Sequence, residues 1–280
     1  MIWGYALPWF SEFLEPDDEP LMAKLRFLIA HGLRATHISL LEVSQMDGAQ
    51  REHLGRFLAD HDLHLVPTVW FDYLSADAEA LRRNTGQAIA AIREYAGLIR
   101  APIVTTGVGR YHRFMREPSL AEQMDRLPAA LAALAQACHE AGAPLGIENH
   151  GDYYCDDLVE LCRRTPHLRI FLDTGNTYLI GERSLPAIRA AAPLTIGTHF
   201  KDHYVWPEKQ TYPLRFEIGG AALGEGDVGL AEAYRILAEN APDPAHLVML
   251  MEMIPPRPME PRECLERSLA FVRSLPEVSP

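Results

Sequence analysis

Eight short apolar runs, each followed by an amphipathic stretch, punctuate the chain from end to end. That rhythm restricts the fold more than any other feature. The runs are Ile2–Ala6, Ala35–Leu40, His64–Val69, Pro102–Thr106, Pro144–Glu148, Leu168–Asp173, Leu194–His199 and Leu247–Met253. They are compact and largely apolar, as strands covered on both faces must be. Between them lie Pro20–His31, Gln50–His61, Ala78–Arg100, Leu120–Ala141, Asp156–Arg164, Ser184–Ala191, Leu230–Asn240 and Pro261–Leu275. These carry apolar residues three and four apart, the period of a helix with one buried face. Gly32, Gly97 and Gly142 stand where helix C-caps are expected, and Pro102, Pro144 and Pro193 at helix-to-strand entries.

Repeated strand–helix alternation demands a parallel sheet. Eight units in 280 residues predict an α/β chain folded as a single (β/α)8 barrel, with residues 1–280 forming one domain. An open doubly wound sheet is the alternative, but the G-x-G-x-x-G turn that would favour it does not follow the first strand. Tyr204–Gly226 is the longest irregular stretch. It follows the seventh strand, on the face where barrels place functional loops.

Four consecutive runs stay apolar until their last residue and then present an acid or an imidazole. The fifth ends in Glu148, the sixth in Asp173, the seventh in His199 and the eighth in Glu252. In a barrel these positions converge at the C-terminal ends of the strands, where active sites form. Any one such residue is commonplace: a strand-end carboxylate often caps the next helix, as Asp173 would do, and a lone histidine is more often hydrogen-bonded than ligating. Four on successive strands are a different matter. Three carboxylates at close quarters repel one another unless a cation joins them. Oxygen donors with one nitrogen suit a single Mn²⁺, Mg²⁺, Co²⁺ or Zn²⁺ ion. Side-chain alternation sets His150 on the same face as Glu148, and Lys201 and His203 on the same face as His199, either as candidates to support the ligands or contact substrate, or as ordinary exposed polar groups.

The net charge of −12 disfavours a phosphate-backbone partner, so no nucleic acid is expected. The four cysteines, Cys138, Cys155, Cys162 and Cys264, form no C-x-x-C pair and read as reduced, unpaired thiols of a cytoplasmic protein. The first ten residues lack the pattern of a signal peptide, and no apolar run is long enough to span a membrane.

At the strand ends the sequence resembles the xylose isomerase-like TIM barrel superfamily, the sugar phosphate isomerase/epimerase group. The matching pieces are IENHG (147–151), FLDTGN (171–176), THFKDH (198–203), LGEGDVGL (223–230) and MEMI (251–254), in order and over most of the chain. The resemblance implies one divalent metal held by Glu148, Asp173, His199 and Glu252, with Glu148 and Glu252 doubling as an acid/base pair. Arg215 resembles a family arginine that contacts substrate near the metal. Asn176 stands where several ketose epimerases carry a histidine, a departure from those enzymes. In LGEGDVGL, Gly224 and Gly226 are expected to permit a turn and Asp227 to cap the helix near Leu230. Dimers and tetramers are common in the family, so a homo-oligomer is compatible with it.

These features predict proton transfer next to a carbonyl of a small sugar or ketose: one glutamate takes the proton and the other returns it. Trp9, Phe10, Trp70 and Phe71 stand near other strand ends, placed either to wall the pocket or simply to pack against the core. A dehydratase or decarboxylase on the same scaffold is the main alternative. An endonuclease IV-like nuclease would need more ligands than the scattered His37, Glu42 and His112 offer. A non-catalytic sugar-binding barrel is the remaining reading.

Overall fold

The computed structural model describes residues 1–6, 10–13, 19–209, 212 and 215–278. The barrel strands are β1 (Ile2–Tyr5), β2 (Ala35–Ile38), β3 (His64–Pro67), β4 (Val104–Thr106), β5 (Leu145–Glu148), β6 (Leu168–Asp173), β7 (Thr195–Phe200) and, after a hairpin, β10 (Val248–Met251). They form one parallel eight-stranded sheet in the order β3-β2-β1-β10-β7-β6-β5-β4. A parallel bridge between Thr68 and Thr105 joins its two edges, so the sheet curls into a nearly closed (β/α)8 barrel.

Two apolar layers hold it. Inside the barrel Ile2, Ala6, Ala35, Val66, Ile103, Phe171, Val248 and Leu250 pack into one plug. Outside, the strands are covered by α1 (Pro20–His31), α2 (Leu40–Gln45), α3 (Gly48–Asp60), α4 (Ala78–Tyr95), α5 (Leu120–Glu140), α6 (Cys155–Arg164), α7 (Asn176–Leu179), α8 (Ser184–Ala191), α9 (Leu230–Asn240) and α10 (Pro261–Ser274). Local chemistry sets several helix ends. Asp47 and Ser119 build capping boxes at the starts of α3 and α5, and Gly32 takes the left-handed conformation that ends α1.

A bulge decides how the strands present their ends. Ile170 pairs with Thr195 but Phe171 with Gly197, so β7 carries one extra residue there. Asp173 consequently pairs with His199. Gly197 is required at the bulge because a Cβ would run into Ile103 and the Phe171 ring.

Several sequence expectations need correction. Tyr204–Gly226 is not irregular: β8 (His203–Pro207) and β9 (Phe216–Gly220) form an antiparallel hairpin. Its glycines and prolines obscure the alternation that would have revealed it. Leu40 begins α2 instead of ending β2. The long fourth helix stops at Tyr95, and Arg100, not Gly97, takes a positive φ beyond it. Gln50 is the third residue of α3 and not its first. Asp227 does not cap α9. Gly229 holds that position at φ 80, and the Asp227 carboxylate accepts from the Val205 N–H at 2.8 Å, tying the glycine loop to the hairpin. All four cysteines are buried and free.

Candidate metal and proton-transfer site

Interior residues at the C-terminal end of the barrel lie two positions beyond the apolar plug. Ala35 leads to His37, Val66 to Thr68, Ile103 to Thr105, Phe171 to Asp173, Gly197 to His199 and Leu250 to Glu252. Strand alternation therefore stacks a polar layer directly on the apolar one. Phe171 forms the floor, with its ring edge-on to His199 at 4.8 Å.

His199 is the hub. Its Nδ1 lies 3.0 Å from Glu148 Oε1, 3.1 Å from Glu252 Oε2 and 3.8 Å from Asp173 Oδ2. Donor atoms of Glu148, Asp173 and His199 all lie within 4.8 Å of one another, a spacing that fits a metal ion. Glu252 falls outside that tightest group, one residue past β10, yet its oxygen faces the same nitrogen. Its backbone N–H is fixed on Phe200 O at 3.1 Å. The sequence thus brings all four expected ligands around one point.

The electrostatics follow from burial among carboxylates. Burial alone would lower the His199 imidazole, but Glu148, Glu252 and Asp173 outweigh it and lift the pKa to about 9. Burial would raise Glu148, yet His199 draws it down to about 2. Glu252 goes the other way, raised by burial and by Asp173 against the pull of His199 and Lys201. With three carboxylates facing it, protonated His199 supplies positive charge that a divalent cation would supply instead.

Lys201 supplies more. Its Nζ lies 2.9 Å from Asp173 Oδ2, 3.0 Å from Glu252 Oε1 and 3.4 Å from Asn176 Oδ1. Burial opposes its charge, but Asp173 and Glu252 hold the ammonium above its ordinary range. The Thr174 hydroxyl, through Lys201 N at 2.9 Å and Lys201 O at 2.7 Å, fixes the backbone that carries it.

Asp173 serves two purposes at once. Oδ2 meets Lys201, while Oδ1 accepts from the N–H groups of Gly175 and Asn176 at 2.8 and 2.9 Å. Oδ1 thus serves the start of α7 while Oδ2 faces the cluster. Asn149, given no role by the sequence, continues the β5–β6 ladder with its side chain. Its Nδ2 donates to Asp173 O at 2.9 Å and its Oδ1 accepts from Asp173 N at 2.7 Å. Asn176 returns a bond to Asn149 O at 3.0 Å, so both ends of its amide are engaged.

Other expected residues fall nearer the rim. His150 is exposed and meets the Trp70 ring edge-on at 5.1 Å. Phe71 packs on Tyr73. Trp9 lies outside the described residues, and Phe10 starts a 3₁₀ turn, Phe10–Phe13. His203 opens β8, buried, with Nδ1 on Gly219 O at 3.0 Å. Arg215 is exposed near the far end of the hairpin, its carbonyl accepting from Glu208 N, and is not brought to the cluster. Five ladder pairs separate it from the barrel rim, a reach of about 16 Å.

Two further residues matter here: His37, weighed from the sequence only as a scattered ligand of a nuclease, and Asp202, given no role there. His37 touches His199, Nε2 to Nε2 at 2.8 Å. Burial lowers its pKa to about 3, so it stays neutral. Asp202 gathers the N–H groups of His203, Gly224, Gly226 and Val228 and so moulds the LGEGD loop. A hollow of about 500 Å³ lined by Met1, Arg34 and Tyr234 lies at the opposite, N-terminal end of the strands, away from this chemistry.

Residues 25–275 match the family model described as xylose isomerase-like TIM barrel. Solved structures agree in fold. D-psicose 3-epimerase with D-tagatose, from Clostridium cellulolyticum H10, superposes with a TM-score of 0.70 at 13% identity, over 98% of this chain and 97% of that one. The probable 3-DHS dehydratase AsbF involved in petrobactin synthesis, from Bacillus anthracis, gives 0.67 at 15% identity, over 97% and 99%. A xylose isomerase-like TIM barrel protein from Mycobacterium smegmatis in complex with magnesium gives 0.67 at 15%, over 96% and 94%. No protein of curated function matches the sequence. Among the described residues, no helix is long and apolar enough to cross a membrane.

Proposed function

Because the chain belongs to the xylose isomerase-like TIM barrel family, we propose that it is a divalent-metal-dependent isomerase or epimerase of a small sugar or ketose, working by proton transfer beside a carbonyl. The observation that carries this reading is the pair of glutamates: Glu148 Oε1 and Glu252 Oε2 approach His199 Nδ1 at 3.0 and 3.1 Å from two different strands. Two carboxylates on different walls of one small site can reach a substrate carbon from two directions.

Glu148, Asp173, His199 and Glu252 would hold the ion. A divalent cation bound there supplies Lewis acidity for a carbonyl and its neighbouring hydroxyl. Glu148 or Glu252 removes the proton next to that carbonyl. The partner glutamate delivers one, at the same carbon for epimerisation or the adjacent carbon for isomerisation. Lys201, anchored between Asp173 and Glu252, orients Glu252 and can turn its weakest N–H, 3.4 Å from Asn176 Oδ1, to a substrate oxygen. His150 and Trp70 flank the entrance and contact the sugar.

Glu252, held above the usual carboxylate range by burial and by Asp173, also favours a second reading, a dehydratase, because its protonated form can serve as the acid for a departing hydroxyl. Incubation of the Mn²⁺-loaded chain with ketoses, inososes and keto acids in deuterated water, followed by NMR, separates the two. Deuterium next to the carbonyl without loss of water supports the isomerase or epimerase. Loss of water supports the lyase. Neither exchange nor loss of water with any member of the panel defeats both.

A further inference from the structure

A line of hydrogen-bonding groups crosses the barrel interior from the strands that contribute no ligand. Thr105 Oγ1 on the β4 side lies 2.9 Å from Thr68 Oγ1, which follows β3. Thr68 Oγ1 lies 3.1 Å from His37 Nδ1 on β2, and His37 Nε2 lies 2.8 Å from His199 Nε2 on β7. All of these residues share the inward-facing register two positions above the apolar plug.

Proton counting gives this line a direction. The Val66 carbonyl, 3.3 Å from His37 Nδ1, can only accept, so that nitrogen carries the hydrogen. A neutral imidazole has one N–H, and His37 Nε2 is therefore an acceptor. The nitrogen facing it, His199 Nε2, must be the donor. Neutral His199 then has its lone pair on Nδ1, aimed at Glu148, Glu252 and Asp173. A lone pair among carboxylates is repelled unless a cation stands between them.

We propose that His37 is a positioning residue for the metal. It fixes His199 in the Nε2–H tautomer and so dedicates Nδ1 to the ion, with Val66 O and Thr68 fixing His37 in turn. This rests on His199 being a metal ligand. Its own content is which nitrogen binds and which residue decides that. Outer partners of ligating histidines usually change metal affinity about 10–100-fold when removed.

The test is Co²⁺ titration of the full chain, read by calorimetry and by the visible spectrum of the bound ion. His37→Leu, which cannot accept a hydrogen bond, is expected to weaken binding about 10–100-fold and alter the spectrum. His37→Gln, whose amide oxygen can take the place of Nε2, is expected to stay within about threefold of the parent. Histidine-selective ¹⁵N NMR of the unmutated chain with Zn²⁺ provides an arm independent of mutant folding. His199 should show a protonated Nε2 and a metal-shifted Nδ1. Equal Co²⁺ affinity in the parent and a folded His37→Leu chain, or a metal-shifted Nε2, overturns the inference while leaving the metal site intact. Failure of the parent to bind Co²⁺ overturns the metal site and the inference together.

Discussion

Lys201 Nζ donates to Asp173 Oδ2 at 2.9 Å, inside a site where Asp173 is wholly buried and the lysine nearly so. The same ammonium reaches Glu252. An internal cation and a metal bound there would share two carboxylates, with opposite consequences for stability and affinity. Removing one partner of a buried pair leaves an uncompensated charge and typically costs about 3–5 kcal/mol. Lys201→Met should lower the melting temperature sharply in chelator and much less when Mn²⁺ is present, because the ion restores the missing charge. Thermal scans with and without metal check this; equal losses in both conditions would show that the two cations do not share the carboxylates.

His199 makes the metal-free protein sensitive to alkali. Its pKa is raised from 6.5 to about 9 by the surrounding carboxylates, against burial. A raised folded-state value means stability that is fully present below pH 6.5 and is lost as pH climbs through about 9, on the order of 3 kcal/mol. An ion bound at Nδ1 would have to displace that proton. Apparent metal affinity should therefore rise about tenfold per pH unit between 7 and 9, then level off. Calorimetric titrations in buffers of different ionisation enthalpy will reveal release of close to one proton at pH 7.5. The absence of proton release would remove His199 from the ligand set.

Glu148 and Glu252 occupy unequal surroundings: His199 dominates one, while Lys201 also binds the other. If both move protons, Glu148→Gln and Glu252→Gln should each lower kcat by about 10²–10⁴-fold. Solvent deuterium exchange separates their roles. The variant lacking the base loses exchange, whereas the variant lacking the returning acid can still exchange at the abstraction site. Full turnover and full metal content in Glu148→Gln would remove it from both roles.

The barrel and the four strand-end residues were legible because each obeys local rules: an apolar run, then one polar residue as the strand leaves the plug. The hairpin β8–β9 was not, since its pairing depends on contacts 17 residues apart, as between His203 and Gly220, and on Asp227 anchoring Val205. Asn149 and His37 were missed for a related reason. An asparagine beside a glutamate and a histidine near the end of an apolar strand have no distinctive spacing. Their roles arise only when β6 and β7 come alongside. The alternation rule did contain a signal, because His37, Thr68 and Thr105 each follow an interior apolar residue by two. Arg215 was carried by resemblance alone, and the register of the hairpin sets it far from the cluster.

Asn149 offers a test of how tightly the ligands are held. Its amide makes both bonds that a further ladder residue would make to Asp173, at 2.9 and 2.7 Å, and it is buried. Asn149→Asp keeps the size but cannot donate to Asp173 O, and it adds a fourth acid beside the cluster. Loss of one buried partner costs about 1–3 kcal/mol. Metal should recover part of that loss, because an added anion near the site also attracts a cation. Asn149→Ala loses both bonds without adding charge, so its stability loss should be recovered less by metal. Paired denaturant melts of the two variants, each with and without Mn²⁺, separate ladder support from charge. If both recover equally, the amide acts only on the fold and not on the alignment of Asp173.

Trp70 at the rim gives a readout of substrate contact away from the ligands. Its ring lies over Gly107, where any Cβ would collide with it, and edge-on to His150. Gly107→Ala should displace the indole while leaving the carboxylate–imidazole cluster untouched. The expected signature is a raised KM with kcat and metal affinity little changed, the pattern of lost uniform binding, together with a shift in tryptophan fluorescence. Trp70→Phe keeps an aromatic ring with less bulk and should raise KM less. A fall in kcat with KM unchanged would mean that Trp70 acts on the proton-transfer step and not merely on the mouth of the site.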